Sequence, residues 1–284
     1  MDSHKQIWTE EIKANDPLLS VNLREVWHYR DLLLMLLKRD FITFYKQTIL
    51  GPLWFFVQPM LQVAMFVIIF NKVAKLPTDG VPAIAFYMVG SVLWNYFSEV
   101  LTKTSTVFRD NASVFGKVYF PRLIMPLSIV CSGLLKFFIQ FILVIVVLLY
   151  YTLVKSSVEP NIWMAATPLL ILMMALYALG LGMIFSSMTT KYKDLIFLLT
   201  FGIQLYMYAT PVIYPASLID NPMLAKILAL NPLTSIFECF RYGYLGAGDF
   251  DPTGLGYSAA IIAGLLVIGV LIFNKVQRSF MDTV

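Results

Sequence analysis

Apolar residues in this chain fall in long uncharged runs, not in the short alternations of a soluble domain. The runs cover residues 47–71, 80–98, 160–190, 195–219 and 252–274, and another, 123–154, is broken only by Lys136. A helix needs about 20 apolar residues to cross the hydrocarbon core of a bilayer. The pattern therefore predicts an all-α integral membrane protein with six transmembrane helices, near residues 53–73, 82–101, 123–154, 161–188, 195–214 and 255–274. The third run is too long for one simple crossing, since about 32 residues make about 48 Å of helix against a core of about 30 Å. Its first part, 123–133, reads as a helical start at the interface. The deep crossing then falls over 134–154, with Lys136 snorkelling to the headgroups.

The stretches between the runs have patterns of their own. Over residues 22–42, Leu23, Val26, Trp27, Leu33, Leu34, Leu37 and Phe41 share roughly one stripe, with Arg24, Glu25, His28, Asp31, Lys38 and Arg39 elsewhere. That is the pattern of an amphipathic helix lying in the inner membrane interface; a cytoplasmic helix without membrane contact is the alternative. The chain thus divides into a cytoplasmic segment, 1–46, and a transmembrane domain, 47–284. Residues 102–122 alternate polar caps with apolar pairs, Val107 with Phe108 and Val114 with Phe115, and predict one or two short helices. Their apolar face either docks against a partner or packs beneath the chain's own membrane part. In residues 214–254, Asp220-Asn221-Pro222 starts a helix and Asn231-Pro232-Leu233-Thr234 breaks and recaps it. Gly246-Ala247-Gly248 ends the second helix. The uncharged core of this stretch, 227–237, is too short to cross, so an outer re-entrant helical hairpin between spans 5 and 6 is predicted.

Composition agrees with a lipid solvent. Of 284 residues, 59% are hydrophobic and 13% charged, with a mean hydropathy of +0.75, whereas a soluble domain carries about a quarter charged residues. Placing the N-terminus inside puts fifteen Lys and Arg on the inner side and five on the outer, so both ends are expected in the cytoplasm. The first 46 residues contain no apolar core leading to a cleavage site, and the first run is expected to act as an uncleaved insertion signal. The net charge of +4 follows this asymmetry and does not point to nucleic acid. Cys131 and Cys239 fall near opposite faces and are not expected to pair. The only histidines, His4 and His28, lie in the N-terminal segment, which argues against a histidine-based metal or catalytic centre in the membrane.

Several kinds of chemistry find no residues to carry them. Gly116-Lys117 is followed by Val118 and lacks the earlier glycine, so no phosphate-binding loop for ATP is present. Glu99 is expected near the outer end of span 2 and Lys136 near the inner end of span 3, leaving the midplane nearly free of ionisable groups. A self-powered secondary transporter needs such groups or broken helices there. Polar stripes do exist: Gln58 and Gln62 in span 1, and Thr200, Gln204 and Tyr208 at four-residue spacing in span 5. They either line a hydrophilic path or hydrogen-bond between helices. Ala178, Gly182 and Ser186 mark a close helix contact in span 4. Aromatic residues crowd the outer side, among them Tyr208, Tyr214, Phe237, Phe240, Tyr244 and Tyr257. They form an interfacial belt or stack on sugar rings.

Three blocks resemble a known family, the permease subunits of ABC-2-type exporters for O-antigen, capsule and teichoic acid polymers. They are Leu50-Gly51-Pro52-Leu53-Trp54 through Gln58-Pro59-Met60; Phe115-Gly116-Lys117-Val118-Tyr119-Phe120-Pro121-Arg122; and Thr210-Pro211-Val212-Ile213-Tyr214-Pro215 with Asn231-Pro232-Leu233-Thr234 and Arg241. The likeness runs from about residue 30 along nearly the whole chain, and it is closest to O-antigen exporters. It implies a homodimeric pore in the bacterial inner membrane, with two copies of a separate ABC ATPase that bind the ATP and Mg. No cofactor is expected in this chain. Trp27, Val107, Phe108, Val114 and Phe115 would couple to the ATPase. Spans 1 and 5 would line the channel through Gln58, Gln62, Thr200, Gln204 and Tyr208. Tyr214, Pro215, Asn231, Pro232, Phe240, Arg241 and Tyr244 would form the outer gate or touch glycan. The implied cargo is a lipid-linked polysaccharide on undecaprenyl pyrophosphate, its diphosphate met by Arg39 or Lys46, although the same bases also serve orientation. A drug or lipid exporter of the same type, a membrane-embedded glycan-processing enzyme and a scaffold subunit are the competing readings.

Overall fold

The computed structural model describes residues 23–46, 48–115, 120–248 and 250–280. Among the described residues the regular elements are all helices. The α-helices are α1 (Leu23–His28), α2 (Arg30–Tyr45), α3 (Trp54–Phe66), α4 (Ala83–Ser105), α5 (Val107–Asp110) and α6 (Ala112–Phe115), followed by α7 (Ile124–Leu153), α8 (Thr167–Lys191), α9 (Leu195–Tyr208), α10 (Pro222–Leu230), α11 (Pro232–Leu245) and α12 (Pro252–Phe280). A 3-10 turn, Gly51–Leu53, leads into α3, and a π-helical segment, Val67–Val73, extends it. A 3-10 turn, Ile162–Ala166, likewise opens α8, with the Asn161 side chain accepting from the Trp163 N–H.

Four stretches are long and apolar enough to cross a membrane: Gly51–Val73, Ile124–Leu153, Ile162–Lys191 and Pro252–Gln277. The α10–α11 pair makes a fifth if its 91° bend lies within one span. The chain is thus an all-helical membrane protein with four to five candidate spans. The six expected runs differ at two places. α4 has the length, 23 residues or about 35 Å, but carries too many polar side chains. α9 is apolar but only 14 residues long, about 21 Å, because the chain turns after Tyr208 and does not continue to 214.

The polarity of α4 has a packing cause. α3, α7, α8, α9 and α11 all pack around it, and 16 of its 23 residues are buried. A helix that meets other helices on most of its surface need not match lipid, so Ser91, Thr104 and Ser105 sit fully buried on it. Apolar side chains gain little by exchanging lipid for each other, so close contact and hydrogen bonds must hold such a bundle. Both occur here. Phe97 stacks on Tyr177 of α8 at 5.5 Å. Ala178 and Ser186 of α8 are fully buried, and a Cβ on Gly182 between them would come within 2.5 Å of the Thr104 Cβ. The small-residue stripe is therefore a close contact with α4.

A second apolar cluster closes one end of the bundle. Leu36 of α2, Val107 and Phe108 of α5, Phe115 of α6, Met183 of α8 and Phe273 of α12 meet there. The expected interface helix is broken at Tyr29 into α1 and α2; Asn22 lies outside the described residues. Val26, Leu33 and Phe41 turn inward or sideways, whereas Trp27 and Leu34 are exposed. α7 is one unbroken helix of 30 residues, and Lys136 does not snorkel. Its side chain is held within the bundle by Glu99.

Gly182→Leu is expected to lower the apparent unfolding midpoint in detergent, with a cost of about 1–3 kcal/mol from overpacking against Thr104. Gly264→Leu, where a Cβ meets nothing within 4 Å, should leave it unchanged. Tryptophan fluorescence during a thermal ramp reads both.

Candidate functional site

The end of the bundle opposite α2 is organised by two side chains. Asn231 lies at the 91° bend as the last cap of α10 and the first of α11. Its Oδ1 accepts from the Leu233 N–H at 3.0 Å and from the Tyr206 hydroxyl at 2.6 Å. Its amide donates to the Ala209 carbonyl at 3.0 Å and to Thr210 Oγ1 at 2.9 Å. Tyr206 in turn lies 3.0 Å from the Tyr177 hydroxyl. One residue thus ties the bent pair to α9 and α8. Its sequence signature, Asn before Pro, is that of an N-cap with proline at the first helical position.

The second is Arg241, 3% exposed. Its guanidinium donates to the Val212 carbonyl at 2.5 Å and the Tyr214 carbonyl at 3.1 Å. Glu238 pairs with it from one turn earlier at 3.5 Å, and the Phe86 ring of α4 lies 4.0 Å away. Gly90 makes room on α4, since a Cβ there would fall 2.8 Å from the Val212 carbonyl oxygen. A planar fork of donors suits two carbonyls at once, which a lysine cannot match. Asp79, in the turn before α4, accepts from Ser217 at 2.8 Å and completes this end.

Toward the α2 end, α3, α4 and α7 enclose an open-sided polar cleft of about 340 Å³. Glu99 of α4 pairs with Lys103 on the same helix at 2.6 Å and with Lys136 of α7. Asn95 donates to Gln62 across to α3 at 3.0 Å. Gln58 and Gln140 add amides to the wall, and Phe55 lies beside them. The expected separation of Glu99 and Lys136 is therefore corrected. α4 continues to Ser105, so Glu99 lies within the helix at the depth of Lys136, not at an outer end. A charged cluster is present inside the bundle where none was expected.

Most of the candidate coupling residues face inward. Val107 and Phe108 are fully buried and Phe115 nearly so, and Phe108 stacks on Phe273 of α12 at 4.7 Å. The apolar face of α5 and α6 packs on the chain itself and leaves no apolar docking patch at those three positions. Arg122 fastens the same loop, donating to the Gln277 carbonyl at 2.6 Å. Val114 is half-buried and Trp27 exposed. Gly116, Lys117, Val118 and Tyr119 lie outside the described residues.

Among the outer candidates, Phe240 and Tyr244 are buried, packed on each other and on Phe141, so neither presents a ring face to a sugar. Pro215 and Pro232 are buried, and Tyr214 is half-buried with its hydroxyl donating to the Tyr208 carbonyl. The span 5 stripe does reach the surface. Thr200, Gln204 and Tyr208 are all exposed on α9, with Thr200 donating to its own helix at Ile196. Gln58 is exposed and Gln62 half-buried. Arg39 pairs with the neighbouring Asp40 at 2.8 Å, and Lys46 is exposed at the end of α2. Sequence reasoning missed Asn95, Gln140 and the Glu99–Lys136 pair. The signal was present as four polar residues, Asn95, Ser98, Glu99 and Thr102, at three- and four-residue spacing on one face of α4.

These features define a polytopic helical membrane protein with polar clusters inside the bundle and a bent helix pair at one end. Residues 31–245 match the profile of the family described as ABC-2 type transporter. The chain belongs to that family. It is 28% identical over 253 residues to the O-antigen export system permease protein RfbA of Klebsiella pneumoniae, covering 89% of this chain and 94% of that one. To the Myxococcus xanthus protein of the same name it is 28% identical over 264 residues, 92% of this chain and 98% of the relative. The capsule polysaccharide export inner-membrane protein CtrC of Neisseria meningitidis is 24% identical over 257 residues, 86% and 90% of the two chains.

Arg241→Met removes the shared donor of Val212, Tyr214 and Glu238, and the expected cost is about 3–5 kcal/mol. Glu238→Gln keeps the guanidinium on its carbonyls and should cost clearly less. Thermal midpoints in detergent check the order.

Proposed function

We propose that this chain is the membrane subunit of an ATP-driven exporter that moves a lipid-linked polysaccharide, O-antigen-like and carried on undecaprenyl pyrophosphate, from the cytoplasm to the periplasmic side of the bacterial inner membrane. The observation that carries this reading is end-to-end similarity to O-antigen export permeases within the ABC-2 family, at about nine-tenths of both chains. Two copies form the pathway, and two copies of a separate ABC ATPase supply ATP and Mg chemistry from below.

In this reading the chain crosses six times, with α4 as a buried second crossing and α9 with the following turn as a short fifth. Residues 1–46 and both termini are cytoplasmic, and the α2 end of the bundle is the inner one; the excess of Lys and Arg there supports it. The exposed polar stripe Thr200, Gln204 and Tyr208, with Gln58 and Gln62 on α3, lines the path between the two copies. The corner built on Asn231 and Arg241, with Tyr214, Pro215 and Pro232, is the outer gate. Phe240 and Tyr244 support that gate from within the core. Arg39 and Lys46 remain candidates for the diphosphate portal. Coupling to the ATPase runs through the exposed polar side of α5 with Trp27, while Val107, Phe108, Val114 and Phe115 seat that surface. The relative named for capsule polysaccharide export keeps capsule as a second cargo reading.

A deletion strain is expected to accumulate lipid-linked polymer inside the cell and lose it from the surface; normal surface polymer would count against the proposal. Gln204→Trp should block export while leaving the unfolding midpoint in place, because its side chain is exposed. Arg109→Glu, at an exposed residue of α5 paired with its neighbour Asp110, should reduce co-purification of the ATPase several-fold with the fold intact.

A further inference from the structure

We propose that the cleft between α3, α4 and α7 is a binding site for the phosphate group of a lipid that reaches it sideways from the membrane. The proposal goes beyond export and stands whatever the chain carries. The lining holds two lysines, Lys103 and Lys136, and one glutamate, Glu99. Both ammonium groups share the same carboxylate oxygen of Glu99, so by formal count the lining residues carry two positive charges and one negative. A surplus charge in a partly dehydrated wall is stabilised by an anion, and lysine is a common point-charge partner of phosphate.

The neutral lining suits the same ligand. The amides of Gln58 and Gln140 and the hydroxyls of Ser98 and Thr102 stand around the charges and can supply donors to several phosphate oxygens. A cleft of about 340 Å³ has room for a phosphate with part of a headgroup. Lys136 is nearly buried, with a side chain 12% exposed, whereas Lys103, although paired with Glu99, is 48% exposed.

The position selects a lipid over a dissolved ion. Glu99 lies six residues before the end of α4 at Ser105, and Lys136 lies twelve residues after the start of α7 at Ile124. At 1.5 Å per residue the cluster sits about 9–18 Å in from the helix ends. The helices that wall the cleft expose Leu61 on α3 and Leu135 and Phe138 on α7, against which acyl or polyprenyl chains can lie while the headgroup reaches the lysines. The phosphate can belong to a glycerophospholipid or to a polyprenyl phosphate.

The test uses the purified full-length chain in mixed micelles, with retained lipid counted by native mass spectrometry. Phosphatidylglycerol is titrated against diacylglycerol, which lacks the phosphate. Lys103→Gln, at an exposed position that leaves the Glu99–Lys136 pair in place, and Lys136→Gln should each cut phosphatidylglycerol retention roughly fivefold. Glu99→Gln raises the excess charge and should increase retention by a similar factor. A purely structural ion pair would give no such opposite signs. Displacement of phosphatidylglycerol by lower concentrations of polyprenyl phosphate would support the site and assign it to the carrier lipid; failure to displace would support it and assign it to the glycerophospholipid. Equal retention of diacylglycerol, or retention that does not change among the three variants, overturns the proposal. Export is not the readout, so its failure is separate from that of the cargo assignment.

Discussion

Helices immersed in lipid do not gain by hiding apolar side chains from water, because no water surrounds them. What fixes their arrangement is the set of groups that lipid cannot satisfy. In this chain those groups are concentrated on α4, and the remaining helices are arranged around it. Two of its buried hydroxyls bond back to its own carbonyls, Ser91 to Tyr87 at 2.5 Å and Ser105 to Thr102 at 2.6 Å. Its contacts with α8 are close enough that small residues are required. The amphipathic logic of soluble helices is thereby inverted, with the most polar long helix at the centre and the most apolar ones outside.

The same constraint explains the corner at Asn231. A chain that turns 91° between two helices strands the last carbonyls of one helix and the first N–H groups of the next. Asn231 answers part of this with its side chain, and Thr234 answers another part by donating to the Leu228 carbonyl at 2.7 Å. Arg241 deals with the carbonyls of Val212 and Tyr214 in the adjoining turn. These residues have the roles in this end of the bundle that backbone ladders have inside the helices.

Local chemistry was readable from the chain, and long-range pairing was not. The caps at Asn221 and Asn231 and the glycine stop at Gly246, which adopts φ 69°, depend only on neighbours in sequence, and they occur where the pattern placed them. Apolar runs marked the long outer helices for the same reason. The Glu99–Lys136 pair joins residues 37 apart, so nothing local announces it, and an error in the end assigned to span 2 hid the shared depth. Phe108, Phe115, Phe240 and Tyr244 illustrate a different gap. Each belongs to an apolar stripe that must meet something, and the sequence does not say whether that is a partner, a ligand or the chain itself. Here the chain itself covers all four.

One consequence follows from how α12 is fastened. Near one end Phe273 lies on Phe108, and Gln277 accepts from Arg122; at the other, Pro252 begins the helix just beyond α11, with which it packs. The helix between is continuous for 29 residues, about 44 Å. Between its ends it lies against α8 so closely that a Cβ on Gly269 would fall 2.6 Å from the Gly180 carbonyl oxygen. A displacement of the short helices at one face of the bundle therefore cannot slide α12 alone; the tight seam carries α8 and α12 together toward the bent pair at the opposite face.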